Sequence, residues 1–94
     1  MNEQITLISS VATGNGIKLK VVENKNTVFC TKESISQREF FEANAAGLKA
    51  ELKFKLWKQD YNGEQIAEYD GQRYKIYRTY ERFDMIEIYL ASEG

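Results

Sequence analysis

The stretch Leu48-Lys49-Ala50-Glu51-Leu52-Lys53-Phe54-Lys55-Leu56 constrains the fold more than any other, because its even positions are all apolar and its odd positions are all charged. Side chains of an extended strand alternate between two faces, so this run builds one buried face and one wet face. Such a strand requires a sheet or barrel with a single interior. Just before it, Ser36-Gln37-Arg38-Glu39-Phe40-Phe41-Glu42-Ala43 reads as the start of a short helix over about 37–46. Ser36 is placed to accept from the Glu39 amide while the Glu39 carboxylate reaches back to the Ser36 amide, which is a capping box. Gly47 supplies the permissive backbone on which helices commonly stop. Phe40 and Phe41 sit in the front half and Ala43, Ala45 and Ala46 in the rear half, so the two aromatics are expected to anchor the helix to the core. A helix of this length is marginal in water by itself. Its order must come from packing, and it is a candidate to change shape on assembly.

The remaining elements read as strands. Ile5–Val11 is β-branched and apolar, and Thr13-Gly14-Asn15-Gly16 after it suits positive backbone dihedrals. Ile17–Val22 and Thr27–Lys32 follow as two strand-like stretches, separated by a polar break at Glu23-Asn24-Lys25-Asn26. Gln59–Glu64 is polar, contains Asn62-Gly63 and reads as a loop. Asp70-Gly71, between Ile66–Tyr69 and Arg73–Tyr80, is the pair favoured in two-residue hairpin turns. Glu81–Asp84 turns the chain again into Met85–Leu90, whose even positions are aliphatic. These elements predict a mainly β (β-rich α+β) fold. It is a small antiparallel barrel or sandwich of about six strands with one helix, limiting its exposed strand edges by curling or pairing.

All 94 residues, 43% of them hydrophobic, fit one domain, 1–94. Thirteen basic and fourteen acidic residues leave a net charge of -1, so the long-range field offers no general attraction to nucleic acid or to anionic membrane. With no histidine and one cysteine, the chain lacks an intrachain disulfide and the commonest zinc ligands. Imidazole, the usual proton-transfer group, is also missing. Cys30 has no evident base and reads as a small apolar strand residue. No basic segment leads into an apolar run, and no stretch is long enough to span a bilayer. A soluble intracellular protein with no cofactor, no metal and no catalytic constellation is expected.

Several groups admit a functional and a plain reading. Lys49, Glu51, Lys53 and Lys55 are either the solvated face of an amphipathic strand or a subunit or channel contact. Tyr74-Lys75-Ile76-Tyr77-Arg78-Thr79-Tyr80 interleaves aromatic and basic residues, as a strand that stacks single-stranded bases does. Its plain reading is cross-strand packing, with Tyr74, Ile76 and Tyr80 inside or paired and Lys75 outside. Arg73 has Asp70 as a nearby acid to pair with. Acid pairs such as Glu39 with Glu42, or Glu81 with Asp84, are accounted for by cap and turn roles.

Two motifs taken together carry a resemblance: the helix start Arg38-Glu39-Phe40-Phe41-Glu42-Ala43 and the hairpin Tyr69-Asp70-Gly71-Gln72-Arg73-Tyr74-Lys75-Ile76. In this order, over about residues 27 to 91, the chain resembles the head-closure, or head–tail joining, family of long-tailed bacteriophages. The resemblance implies a β-barrel subunit that forms a ring under the portal complex, seals the DNA-filled head and offers a docking face to the tail. The implied partners are a portal-side adaptor and tail-completion proteins, with double-stranded DNA passing through the ring without specific binding. The implied locations are the host bacterial cytoplasm during assembly and then the virion head–tail junction. On this reading the isolated chain is mainly monomeric, and Arg38, Phe41, Lys49, Glu51, Lys53 and Lys55 are candidates for the oligomer or channel interface. Ser36, Glu39, Phe40, Gly47, Asp70 and Gly71 are structural. A small barrel binding single-stranded nucleic acid through the 74–82 strand is the alternative.

Overall fold

The computed structural model describes residues 1–14 and 19–92. Six strands and one helix follow in the order β1 (Glu3–Thr13), β2 (Lys20–Glu33), α1 (Gln37–Ala45), β3 (Ala50–Trp57), β4 (Ile66–Tyr69), β5 (Gln72–Arg82) and β6 (Met85–Ser92), with a 3₁₀ turn at Lys58–Asp60. Each strand pairs antiparallel with its neighbours in the order β1-β2-β3-β6-β5-β4, and β4 closes back onto β1 through Thr6–Ile8. Closure removes the strand edges around the body of the barrel that an open sheet of this size would expose.

The interior follows from alternation. Phe54 and Leu56 of β3, Ile86, Ile88 and Leu90 of β6, Ile5 and Leu7 of β1, and Tyr74 and Ile76 of β5 point inward and are buried. Cys30 lies fully buried among them, as a small strand residue. Tyr69 packs on Phe54 with ring centroids 4.8 Å apart and donates to the Glu3 carboxylate at 2.9 Å, which ties β4 to the start of β1. Asp70 and Gly71 both have positive φ, 52° and 79°, as the hairpin turn between β4 and β5 requires.

Three sequence expectations are corrected. The first is the break at Glu23–Asn26: β2 runs unbroken through it, each residue paired with β1 from Glu23↔Ser10 to Asn26↔Leu7. Of the expected Ile17–Val22 strand, Lys20–Val22 form the start of β2, while Ile17, Lys18 and the Asn15-Gly16 turn lie outside the described residues. The second is the pair Phe40 and Phe41 as core anchors. Both are exposed, at 47% and 62%, and the buried residues of α1 are Glu39 and Ala43. Positions four apart share a helix face, so turning Glu39 and Ala43 inward turns Phe40 and Phe41 outward. The third is Tyr80, which is exposed because the β5–β6 register slips between Ile76 and Arg78. One extra residue, Tyr77, reverses the inside–outside phase beyond it.

The helix ends as expected. The Leu48 amide donates to the Ala43 carbonyl at 2.8 Å and the Gly47 amide to the Asn44 carbonyl at 3.0 Å. With Gly47 at φ 80°, this is a Schellman closure.

Candidate protein-contact surface

The register places two outer features on the barrel. The first is the seat of the helix. Because Tyr77 is the bulged residue, Tyr77 and Arg78 emerge next to each other on the outer wall instead of on opposite faces. Both reach Glu39: Tyr77 Oη donates to the Glu39 carboxylate at 3.0 Å, and the Arg78 guanidinium pairs with its other oxygen. Arg78 also lies over the ring of Tyr89, 4.9 Å from its centroid, and Lys53 Nζ stands 5.4 Å from the same ring. Tyr89 is thereby buried although it faces outward. Lys53 sits between Glu33 at 3.7 Å and Glu87 at 3.5 Å. Burial works to lower the Lys53 pKa, but Tyr89, Glu87 and Glu33 outweigh it and hold the ammonium above its ordinary value. Burial, and then the bond to Glu39, push the Tyr77 phenol well above the usual tyrosine range, so it stays a donor.

The capping box is therefore half formed. The Glu39 amide donates to Ser36 Oγ at 3.1 Å, as expected, but the Glu39 carboxylate turns to β5 instead of back to the Ser36 amide. Glu39 acts as a bolt between helix and barrel.

The second feature is the end of the barrel away from the Asp70-Gly71 turn. Here β1 and β2 continue past the barrel as a two-stranded arm. Beyond Ile8, β1 is paired with β2 alone, and β2 meets β3 only at Thr31–Glu33. Pairs Val11↔Val22 and Ala12↔Val21 lie on opposite faces of the arm, and Val11, Val21, Val22 and the adjoining Leu19 are all exposed. An isolated two-stranded ribbon is marginal in water. Among the described residues, Arg73 ties this one to the barrel: it grips the Glu23 carboxylate with two bonds of 2.8 Å and lies 3.9 Å from Glu68. Arg73 donation in turn holds the Glu23 carboxyl below its usual range.

At the same end, the β5–β6 turn presents Phe83, 91% exposed, beside Trp57 at the tip of β3. Trp57, Lys58, Gln59, Phe83 and Asp84 line an open groove of about 620 Å³. The Lys58 amide donates to the Asp84 carbonyl at 2.9 Å, which fixes the turn against the 3₁₀ segment. Phe83 has φ 56°, a left-handed conformation costly for a bulky residue.

The residues singled out from sequence do not form one patch. Arg38 pairs with Glu42 on the exposed side of the helix at 3.1 Å, and Phe41 meets Phe40 edge-on at 6.1 Å. Lys49 approaches Glu51 at 4.0 Å, Lys53 is engaged around Tyr89, and Lys55 is partly buried opposite Glu87. Neither the arm nor the Trp57–Phe83 groove was foreseen, although Trp57 and Phe83 beside polar turns are the available signal. Among the described residues, no group of Cys, Asp and Glu gathers in an arrangement able to hold a metal ion, and no helix is long and apolar enough to cross a membrane. No protein-family model matches the chain, and no curated protein matches it.

Proposed function

We propose that the chain is a structural assembly subunit, a head–tail connector (head-closure) component of a phage or prophage. It acts by joining a ring between the portal side and the tail, touching a portal-side adaptor and tail-completion proteins. The carrying observation is the concentration of exposed Leu19, Val21, Trp57 and Phe83 at one end of a closed barrel. Large exposed apolar side chains gathered at one end of a fold mark candidate protein contacts, and Trp is among the side chains that dominate binding energy at interfaces. A barrel filled by its own side chains offers its outer surface, and here that surface is apolar at the arm end.

The nucleic-acid alternative draws on Tyr74–Arg82, and the geometry favours it less. Tyr74 is buried, and Tyr77 and Arg78 are engaged by Glu39 and Tyr89. That leaves Lys75, Tyr80 and Arg82 of the strand's aromatic and basic groups as ready contacts. Titration with labelled single-stranded oligonucleotide at physiological salt separates the two. A connector subunit gives no saturable binding in the micromolar range. Saturation there, lost on Tyr80→Ala, favours the alternative.

A further inference from the structure

The geometry points to one contact between copies of this chain: the β1–β2 arm of one copy seats in the Trp57–Phe83 groove of the next. The inference rests on the ring reading above and names the surfaces that would close it.

Three observations carry it. First, the two patches are different and both apolar. Val11 and Val22 project from one face of the arm and Val21 from the other, with Leu19 adjoining, so both faces of the inserted arm are apolar, while Trp57 and Phe83 wall the groove. A ring needs this heterologous kind of contact, one patch of each subunit meeting another patch of its neighbour. Second, both lie at the same end of the barrel. The antiparallel registers put the far end of the arm, Thr13↔Lys20, on the side to which β3 runs at Trp57 and from which β6 starts at Met85. One copy can therefore meet the next side by side, by rotation about an axis along the barrel. Such a contact forms a ring when the rotation closes, whereas patches at opposite ends would stack copies into a filament. Third, the charges match. Among the described residues, Lys20 and Lys25 of the arm hold no salt bridge, and neither do Asp60 and Asp84 beside the groove, where Lys58 is already paired with Glu81 at 3.4 Å. Arg82 beside Phe83 is likewise open among the described residues, so the carboxylate excess at the groove is small; the two open cations of the arm still favour approach to it over an arm-to-arm pairing.

The test mixes two variants of the full chain. The arm variant carries Lys20→Glu and Val21→Ser; the groove variant carries Phe83→Asn and Asp84→Lys. Amide exchange of the barrel strands verifies that each remains folded, and the single changes Val21→Ser and Phe83→Asn stand in for either that does not. Sedimentation at high chain concentration is expected to show the unaltered chain growing past dimers, and each variant alone weakened at least about tenfold. An equimolar mixture keeps one intact arm and one intact groove. It is expected to form a one-to-one pair and stop there. The inference is overturned if the variants associate like the unaltered chain, if the mixture does not recover a pair, or if the unaltered chain stays monomeric throughout. Association that ignores these substitutions removes this contact and leaves the connector reading standing, since that reading is judged by virion assembly.

Discussion

Arg78 and Glu39 meet on the outer wall of the barrel, joining the third residue of the helix to the strand position just past the β5 bulge. The bulge makes the meeting possible. Without the extra residue Tyr77, strict alternation would send Arg78 into the core beside Ile76, where an unpaired guanidinium is prohibitively costly. Helix position and strand irregularity are thus one device.

Removing the bolt should free the helix and spare the barrel. Glu39→Ala takes an acceptor from Tyr77 and Arg78 and is expected to cost about 2 kcal/mol, the scale of hydrogen bonds to a charged group, moderated because Arg78 is partly exposed. Urea unfolding measures the loss. Amide exchange should show lost protection confined to residues 37–48 and the neighbourhood of Tyr77.

Phe41→Ala is expected to change stability by less than about 0.5 kcal/mol, since the ring is mostly in water. Phe54→Ala, which empties a fully buried site, is expected to cost about 3–5 kcal/mol. Paired denaturation curves check the contrast, and similar losses at both sites would contradict the placement of Phe41.

Phe83→Gly should stabilise the isolated chain by about 1 kcal/mol, because glycine adopts the left-handed backbone of the turn without the steric cost borne by phenylalanine. The thermal midpoint reads the gain. A residue kept in strain and in water at once is expected where contact with a partner, not folding, sets the side chain.

Stability should fall on the alkaline side. The Tyr77 phenol is raised above its ordinary 10.0, and burial raises the Cys30 thiol from 9.0 to about 11. For both, the folded state holds its proton more tightly than the unfolded state. Their contribution is complete below the unfolded values and is lost as pH rises from about 9 through the folded ones. Unfolding curves from pH 8 to pH 11 measure the slope. Tyr77→Phe and Cys30→Ala should each flatten it.

The barrel was largely legible in the chain, and its exceptions have identifiable causes. Alternation through Leu48–Leu56 and Ile86–Leu90 reports a one-sided burial that the fold obeys. The Asp70-Gly71 turn follows from backbone preference alone. Glu23–Asn26 looked like a break because both faces of the arm are wet, so no burial imposes a pattern there, and asparagine is a poor strand former. The helix was placed correctly by its cap and its glycine stop. Its inward face was not, since Glu39 acquires its value only from Tyr77 and Arg78, which lie 38 and 39 residues away. Arg78 at an even, inward position of a strand otherwise burying Tyr74 and Ile76 was the available sign of a bulge.

Electron microscopy of particles made after deletion of this gene from the genome that carries it tests the proposed role most directly. A connector subunit is expected to leave separate tails and tailless heads that lose their DNA, with joining restored when the chain is supplied in trans. Intact tailed virions in normal number would contradict it.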